Sequence, residues 1–305
     1  MKLGKNGWIF LGLTFALSWG LCAAAYAGGL RAGDKLFPFL GVAMMFMPLL
    51  AAVISVALSR GAVPLREALA LRFRVGPANF LLSWLLFPAA VLLALGIGLA
   101  LPGISYDPAM EDLVARLSKG LPPDQVAAVR ASVSAAPIPP VFIAFFQGLL
   151  AGLSINALAA FGEEAGWRGL LFRELKGSSF FGGSLFAGLV WGLWHAPLIL
   201  QGHNYPEHPV AGVFMMIAWC ALLSPIFYYI RARTGSVAAA AVAHGTLNGV
   251  GGVAMMPLRG GSDLTVGFTG LAGFIAIALL LLALYVLDRS SGRRIMAKNF
   301  GEAGE

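Results

Sequence analysis

Residues 37–58 read FPFLGVAMMFMPLLAAVISVAL, a run without a single charged side chain. At a rise of ~1.5 Å per residue, a helix of that length covers the ~30 Å of hydrocarbon in a bilayer. Comparable apolar stretches recur at 8–27, 80–101, 140–161, 180–200, 210–230, 237–256 and 265–287. Across the 305 residues, 59% are hydrophobic and 11% are charged. A lipid-exposed backbone must satisfy its hydrogen bonds within its own segment, and the alternating short strands of a barrel are absent. The expected fold is all-α: a polytopic membrane protein of about eight transmembrane helices.

Lys and Arg set the orientation. With both termini on one side, that side collects 15 of the 21 basic residues and the other side 6. This puts both termini in the cytoplasm and the chain in the cytoplasmic membrane. The net charge of +7 is then a topology signal, and no nucleic-acid partner is inferred. Ala25-Tyr26-Ala27 has the small-x-small pattern of a signal-peptide cleavage site, but the apolar part before it exceeds the ~7 to 15 residues of a signal h-region. A retained first helix is expected. Cys22 and Cys220 both fall inside spans and read as small core residues.

The sizeable extramembrane piece is 102–139, rich in proline, with 124–134 able to form a short surface helix. It is too short to bury a core of its own, so residues 1–305 read as one transmembrane domain with a motif-bearing core at about 140–256. No internal repeat is evident, which weakens an inverted-repeat transporter.

Chemistry must come from the few polar residues within the spans, because charge there is costly. They are Glu163-Glu164-Ala165-Gly166-Trp167-Arg168, His195 in Trp191-Gly192-Leu193-Trp194-His195, and His244 with Asn248. Glu163 and His195 each lie sixteen residues from Ser179, so two helical arms meeting in that turn place them at one depth. His244 and Asn248, four apart, share a helix face. These offsets predict a site inside the membrane, nearer the cytoplasmic side. One straight helix over 140–176 would reach about 55 Å, so a break near 148–162 is expected. Glu164 and Arg168 are spaced to pair, which makes Glu164 a structural counter-ion. Glu163 points ~100° away without a neighbouring cation, and a carboxylate so placed suits a general base. A buried ion-pair cluster that only holds helices together is the plainer alternative.

Glu163-Glu164-x-x-x-Arg168, an aromatic-x-x-x-His ending at His195, and His244-x-x-x-Asn248, in that order, resemble the three motifs of the CAAX protease and bacteriocin-processing enzyme (CPBP, or Abi) family. That family includes the type II CAAX prenyl endopeptidases. The resemblance covers roughly 149–250, and its one departure is Trp191 where the family more often has Phe. It implies an eight-helix intramembrane endopeptidase reached from the cytoplasm, acting on prenylated, bacteriocin-type or other membrane-associated peptides. The family is often labelled metalloprotease, and Glu163, His195 and His244 could supply a zinc site, yet no His-Glu-x-x-His segment is present. In the metal-free account, which is preferred, no cofactor is needed: Glu163 and His195 activate a water while His244 and Asn248 donate to the oxyanion.

His203 and His208 fall in an outer loop, where a polar loop is expected rather than a metal site. The competing classes are a proton-coupled transporter and a non-catalytic scaffold or immunity factor. A transporter needs polar groups continuing to both faces, whereas a scaffold commonly shows decayed motifs. Neither pattern appears in the sequence.

Overall fold

The computed structural model describes residues 3–59, 63–117 and 123–303. Lys2, Arg60 and Lys119 of the charge tally and Pro122 of the loop lie outside them. The helices that matter are α1 (Lys5–Ala27), α2 (Phe37–Leu58), α3 (Pro77–Leu99), α4 (Pro140–Ala151), α5 (Ile155–Glu164), α6 (Phe180–Trp194), α7 (Ala196–Leu200), α8 (Pro209–Thr234), α9 (Val237–Val250) and α10 (Leu271–Ser290). The protein is all-α and multi-pass. Among the described residues, the strands are two short ones, Ser105–Tyr106 (β1) and Leu258–Arg259 (β2), paired antiparallel.

Among the described residues, six helices are long and apolar enough to cross a bilayer: α1, α2, α3, α8, α10 and the run Val237–Ala254 that contains α9. The fourth apolar segment is a broken passage. α4 and the helix that continues from Ile155 to Glu174 meet at a bend of 56° across Gly152–Ser154, inside the interval where excess length requires a break. The fifth is also interrupted. α6 has 15 residues and stops at His195, because Pro197 lacks the N–H to continue the ladder and its ring crowds the carbonyl of Leu193. All eight apolar segments are thus helical, although only six or seven of them count as full spans by length. The surface helix expected at 124–134 is present as Pro123–Ser134.

The connections sort onto two faces. On one, Gly7 N–H donates to Glu174 (3.3 Å), Phe180 N–H to the Lys298 carbonyl (3.1 Å), Arg233 to Asn79 (3.0 Å) and Val237 N–H to the Ala70 carbonyl (3.3 Å). This is the termini face. Gly235, left-handed at φ +67°, closes α8 there, and Ser236 caps α9 by accepting from Ala239 N–H. On the opposite face β1 meets β2, Asp107 pairs with Arg259 (3.3 Å), and Tyr205 O–H donates to the Thr269 carbonyl (2.7 Å). Leu279, Leu282, Val286 and Leu287 of α10 are exposed, as side chains facing lipid are.

Close backbone approach, made feasible by small residues, sets α9 against α4 and α5. A Cβ on Gly245 would collide with the backbone of Asn156 and Ala157, and one on Gly249 with the backbone of Gly148. Since His244 adjoins Gly245 and Asn248 adjoins Gly249, the placement of both depends on these contacts. Gly245→Ala should therefore cost ~1 to 3 kcal/mol, typical of overpacking, and lower activity with it. A thermal melt of the purified variant in detergent checks the first part; an unchanged melting temperature would show that the helices have room.

Candidate active site

Glu163, Glu164 and Arg168 enter the core together at a change of helix type. α5 ends at Glu164, and residues Ala165–Leu170 continue as a π-helix. Such widened turns disturb the regular ladder and concentrate at functional positions. Here α8 takes up two of the carbonyls: Tyr228 O–H donates to Trp167 O (2.6 Å) and Arg231 Nε–H to Arg168 O (3.1 Å). The two glutamates are consequently held in different directions.

Glu164 faces inward and is fully buried, at 0% exposure against 1% for Arg168 and 4% for His244. Its Oε1 accepts from Arg168 Nη1 (2.9 Å), as the i,i+4 spacing predicts, and also lies 2.8 Å from His244 Nδ1. The second bond, across 80 residues of sequence, was not legible from spacing. Arg168 also stacks over Trp191, 4.1 Å from its ring centre, and over Phe227 at 4.6 Å, a cation–π arrangement that offsets the cost of burying the guanidinium.

Glu163 points the other way, and its Oε2 accepts from Trp191 Nε1–H (2.7 Å). Trp191 stands between the histidines, with ring centres 5.6 Å from both His195 and His244. His195 Nδ1 lies 2.8 Å from the Trp191 carbonyl, which can only accept, so Nδ1 carries the proton and a neutral His195 presents a bare Nε2. In the sequence Trp191 stands out only as the aromatic that opens the second motif. Its indole N–H is a partner that no local spacing announces.

Glu163, His195, His244 and Asn248 all line one cavity of about 520 Å³, within the ~300 to 1,000 Å³ of ordinary ligand pockets. Its walls are mostly apolar, with Trp194, Met216, Trp219 and Phe268 among them. Every sequence-predicted catalytic candidate is therefore brought together, with Glu164 and Arg168 directly behind. The cavity's loop residues are His203, Asn204, Phe268 and Thr269, and Phe37 at the start of α2 joins them. All lie on the face opposite the termini. This departs from the expected depth: in the helical run Val237–Ala254, Asn248 lies eleven residues from the termini-side end and six from the other, past the middle of the passage.

A metal ion at this site would draw on Glu163, His195 and His244. Zinc needs its ligand atoms ~2.0 to 2.2 Å from one centre. Among the described residues, the group of such side chains whose ligand atoms all lie within 4.8 Å of one another is Glu207, His208 and Asp263, on the rim, and not this trio. As placed, the three residues do not close around one ion. At the rim, Asp263 is already engaged, holding His208 Nδ1 (2.6 Å) and accepting from the backbone N–H groups of Glu207 and His208 (2.7 and 3.3 Å) where α8 begins. Asp263 thereby fixes the turn that leads into α8.

α1 clamps the segment around His195. Trp19 Nε1–H donates to the Trp194 carbonyl (3.1 Å), Trp194 Nε1–H to Ser18 Oγ (2.7 Å), and Tyr26 O–H to the Pro197 carbonyl (2.9 Å). Nothing in the α1 sequence marks these residues beyond their polarity. Ser18→Ala leaves the buried Trp194 N–H without its partner and should cost ~1 to 3 kcal/mol of stability. The check is the melting temperature beside wild type; a shift within error would remove the clamp.

Residues 144–250 match the family described as Type II CAAX prenyl endopeptidase Rce1-like. A separate similarity, 47% identity over 54 residues, connects the chain to CAAX prenyl protease 2 of Methanococcus maripaludis and covers 17% of this chain and 20% of that relative. The matched family segment contains every residue of the three motifs and excludes the clamp on α1. The resemblance carried by Glu163-Glu164-x-x-x-Arg168, His195 and His244-x-x-x-Asn248 is thus borne out, and over residues 144–250 this chain is similar to the Rce1-like type II CAAX prenyl endopeptidases.

Proposed function

We propose that the protein is an intramembrane endopeptidase hydrolysing peptide bonds of membrane-associated substrates, with the water activated by side chains alone. The observation that carries this reading is the convergence of Glu163, His195, His244 and Asn248 from three separated segments on one mostly apolar cavity.

In the proposed mechanism Glu163, assisted by Nε2 of His195, takes a proton from a water whose oxygen adds to the scissile carbonyl. The carbonyl oxygen becomes an oxyanion and accepts from Asn248 and His244. Collapse breaks the C–N bond, and the departing nitrogen takes up the proton held by Glu163. Because Glu164 binds Nδ1 of His244, donation from Nε2 requires the imidazolium form. Glu164 thus positions His244 without touching substrate. The mechanism uses no metal ion.

CAAX-type lipidated peptides, the class in the relative's name, and bacteriocin-type leaders contain the same scissile bond. The test is a comparison of peptide termini in membranes from cells with and without the protein. New termini that appear only with wild type are expected, and identical inventories would sink the reading.

A further inference from the structure

Arg72 and Arg231 lie outside the cavity and take no part in the proposed mechanism. They are distant in sequence, and the turn from α8 to α9 brings them together. Gly235, in the left-handed conformation that closes α8, donates its N–H to the Arg231 carbonyl (2.9 Å), one turn back along the helix. A Cβ on Gly235 would stand 3.1 Å from Arg72 Nη1, so that guanidinium rests against the glycine. The backbone around Arg72 is tied to the same turn, because the Arg72 carbonyl accepts from Ser236 Oγ and the Ala70 carbonyl from Val237 N–H (3.3 Å). The two charges are within electrostatic reach of one another.

Two cations held together repel unless something neutralises them. Arg231 donates Nε–H to the Arg168 carbonyl (3.1 Å) and lays its guanidinium over the Phe172 ring at 4.7 Å. Among the described residues, its Nη groups and the whole Arg72 guanidinium meet no hydrogen-bond acceptor. Carboxylates of the termini face are engaged elsewhere: Glu67 pairs with Arg173 (3.5 Å), Glu174 accepts from Gly7 N–H (3.3 Å), and Asp288 accepts from the N–H groups of Ile295 and Met296 (3.0 and 2.7 Å). Arg233 is committed to Asn79 and Tyr229. Two planar guanidinia with unspent N–H groups are the donor set that phosphate oxygens match.

We propose that Arg72 and Arg231 form a binding site for a phosphate group on the termini face. The site does not depend on the protease reading. α8 and the run that contains α9 are both long enough to cross a bilayer, so the turn between them lies at the level of the lipid headgroups. Phe73, next to Arg72, is 71% exposed and offers an acyl chain an apolar contact. The phosphate of an anionic lipid therefore matches the place better than a free phosphate ion does. Since Arg231 also holds the Arg168 carbonyl, a phosphate on its Nη groups would steady the π-helix that follows Glu163 and Glu164.

The test is the melting temperature of the purified protein in neutral detergent, measured against phosphatidylglycerol, against diacylglycerol, which lacks the phosphate, and against inorganic phosphate. Phosphatidylglycerol should stabilise the wild type and diacylglycerol should not. In Arg72→Gln the amount of phosphatidylglycerol giving half the shift should rise about tenfold or more, the order expected for a lost charge-assisted hydrogen bond. Arg74→Gln removes the same charge two residues away and should leave that amount unchanged. Arg72→Gln breaks no bond within the protein, whereas Arg231→Ala would also forfeit the bond to Arg168. Stabilisation by inorganic phosphate that Arg72→Gln abolishes, with no response to phosphatidylglycerol, would support the site and assign it to free phosphate. Equal losses in Arg72→Gln and Arg74→Gln would reduce the effect to the charge of the whole face and overturn the site. A wild-type melting temperature that responds to neither phosphate source would overturn it as well.

Discussion

Glu163→Gln should abolish peptide cleavage and leave the protein folded. The amide is nearly isosteric, and its oxygen can still accept from Trp191 Nε1–H in place of Oε2. What it cannot do is take a proton from water. Losing a general base commonly costs ~10²- to 10⁴-fold in rate. The neighbouring change gives the opposite profile. Glu164→Gln removes the charge that holds Arg168 and His244, and breaking a buried ion pair costs ~3 to 5 kcal/mol, so its effect should show first in yield and melting temperature. The two outcomes would separate the adjacent carboxylates into a chemical and a structural role. Wild-type turnover by purified, folded Glu163→Gln would reverse the assignment.

The second large effect concerns the oxyanion. Asn248→Ala should lower turnover by ~10²- to 10³-fold with little change in stability, because Asn248 lines the cavity with its side chain exposed there. Prolonged treatment of the wild type with a strong chelator should leave its activity intact. Both follow from side-chain donors acting where a Lewis acid otherwise would. Activity lost to the chelator and restored by stoichiometric zinc would show that Glu163, His195 and His244 move together around an ion, and would leave the protease reading in place. A near-normal rate in Asn248→Ala would remove it from the oxyanion site.

The relation between the similar region and the rest of the molecule has a consequence for engineering. Residues 144–250 carry the three motifs, yet α1 holds the His195 segment through Ser18, Trp19 and Tyr26, and α2 supplies Phe37 to the cavity wall. The matched segment by itself lacks those supports. Positioning groups held by other elements are what keep a catalytic side chain within its productive geometry.

Local patterns of period and spacing were legible in the chain itself. Uncharged runs such as 37–58 specify membrane-crossing helices, since the cost of unpaired backbone in hydrocarbon admits few other structures. Four-residue spacing specifies the Glu164–Arg168 pair and the shared face of His244 and Asn248, and excess length specifies the break now seen at Gly152–Ser154. Contacts between distant segments were decided only by tertiary structure. The bond from Glu164 to His244, the indole that holds Glu163, the clamp from α1 and the shared lining of the cavity all join residues from different helices. Their geometry depends on the rotation and depth at which helices pack, which glycine contacts such as Gly245 against Ala157 set and hydropathy does not encode.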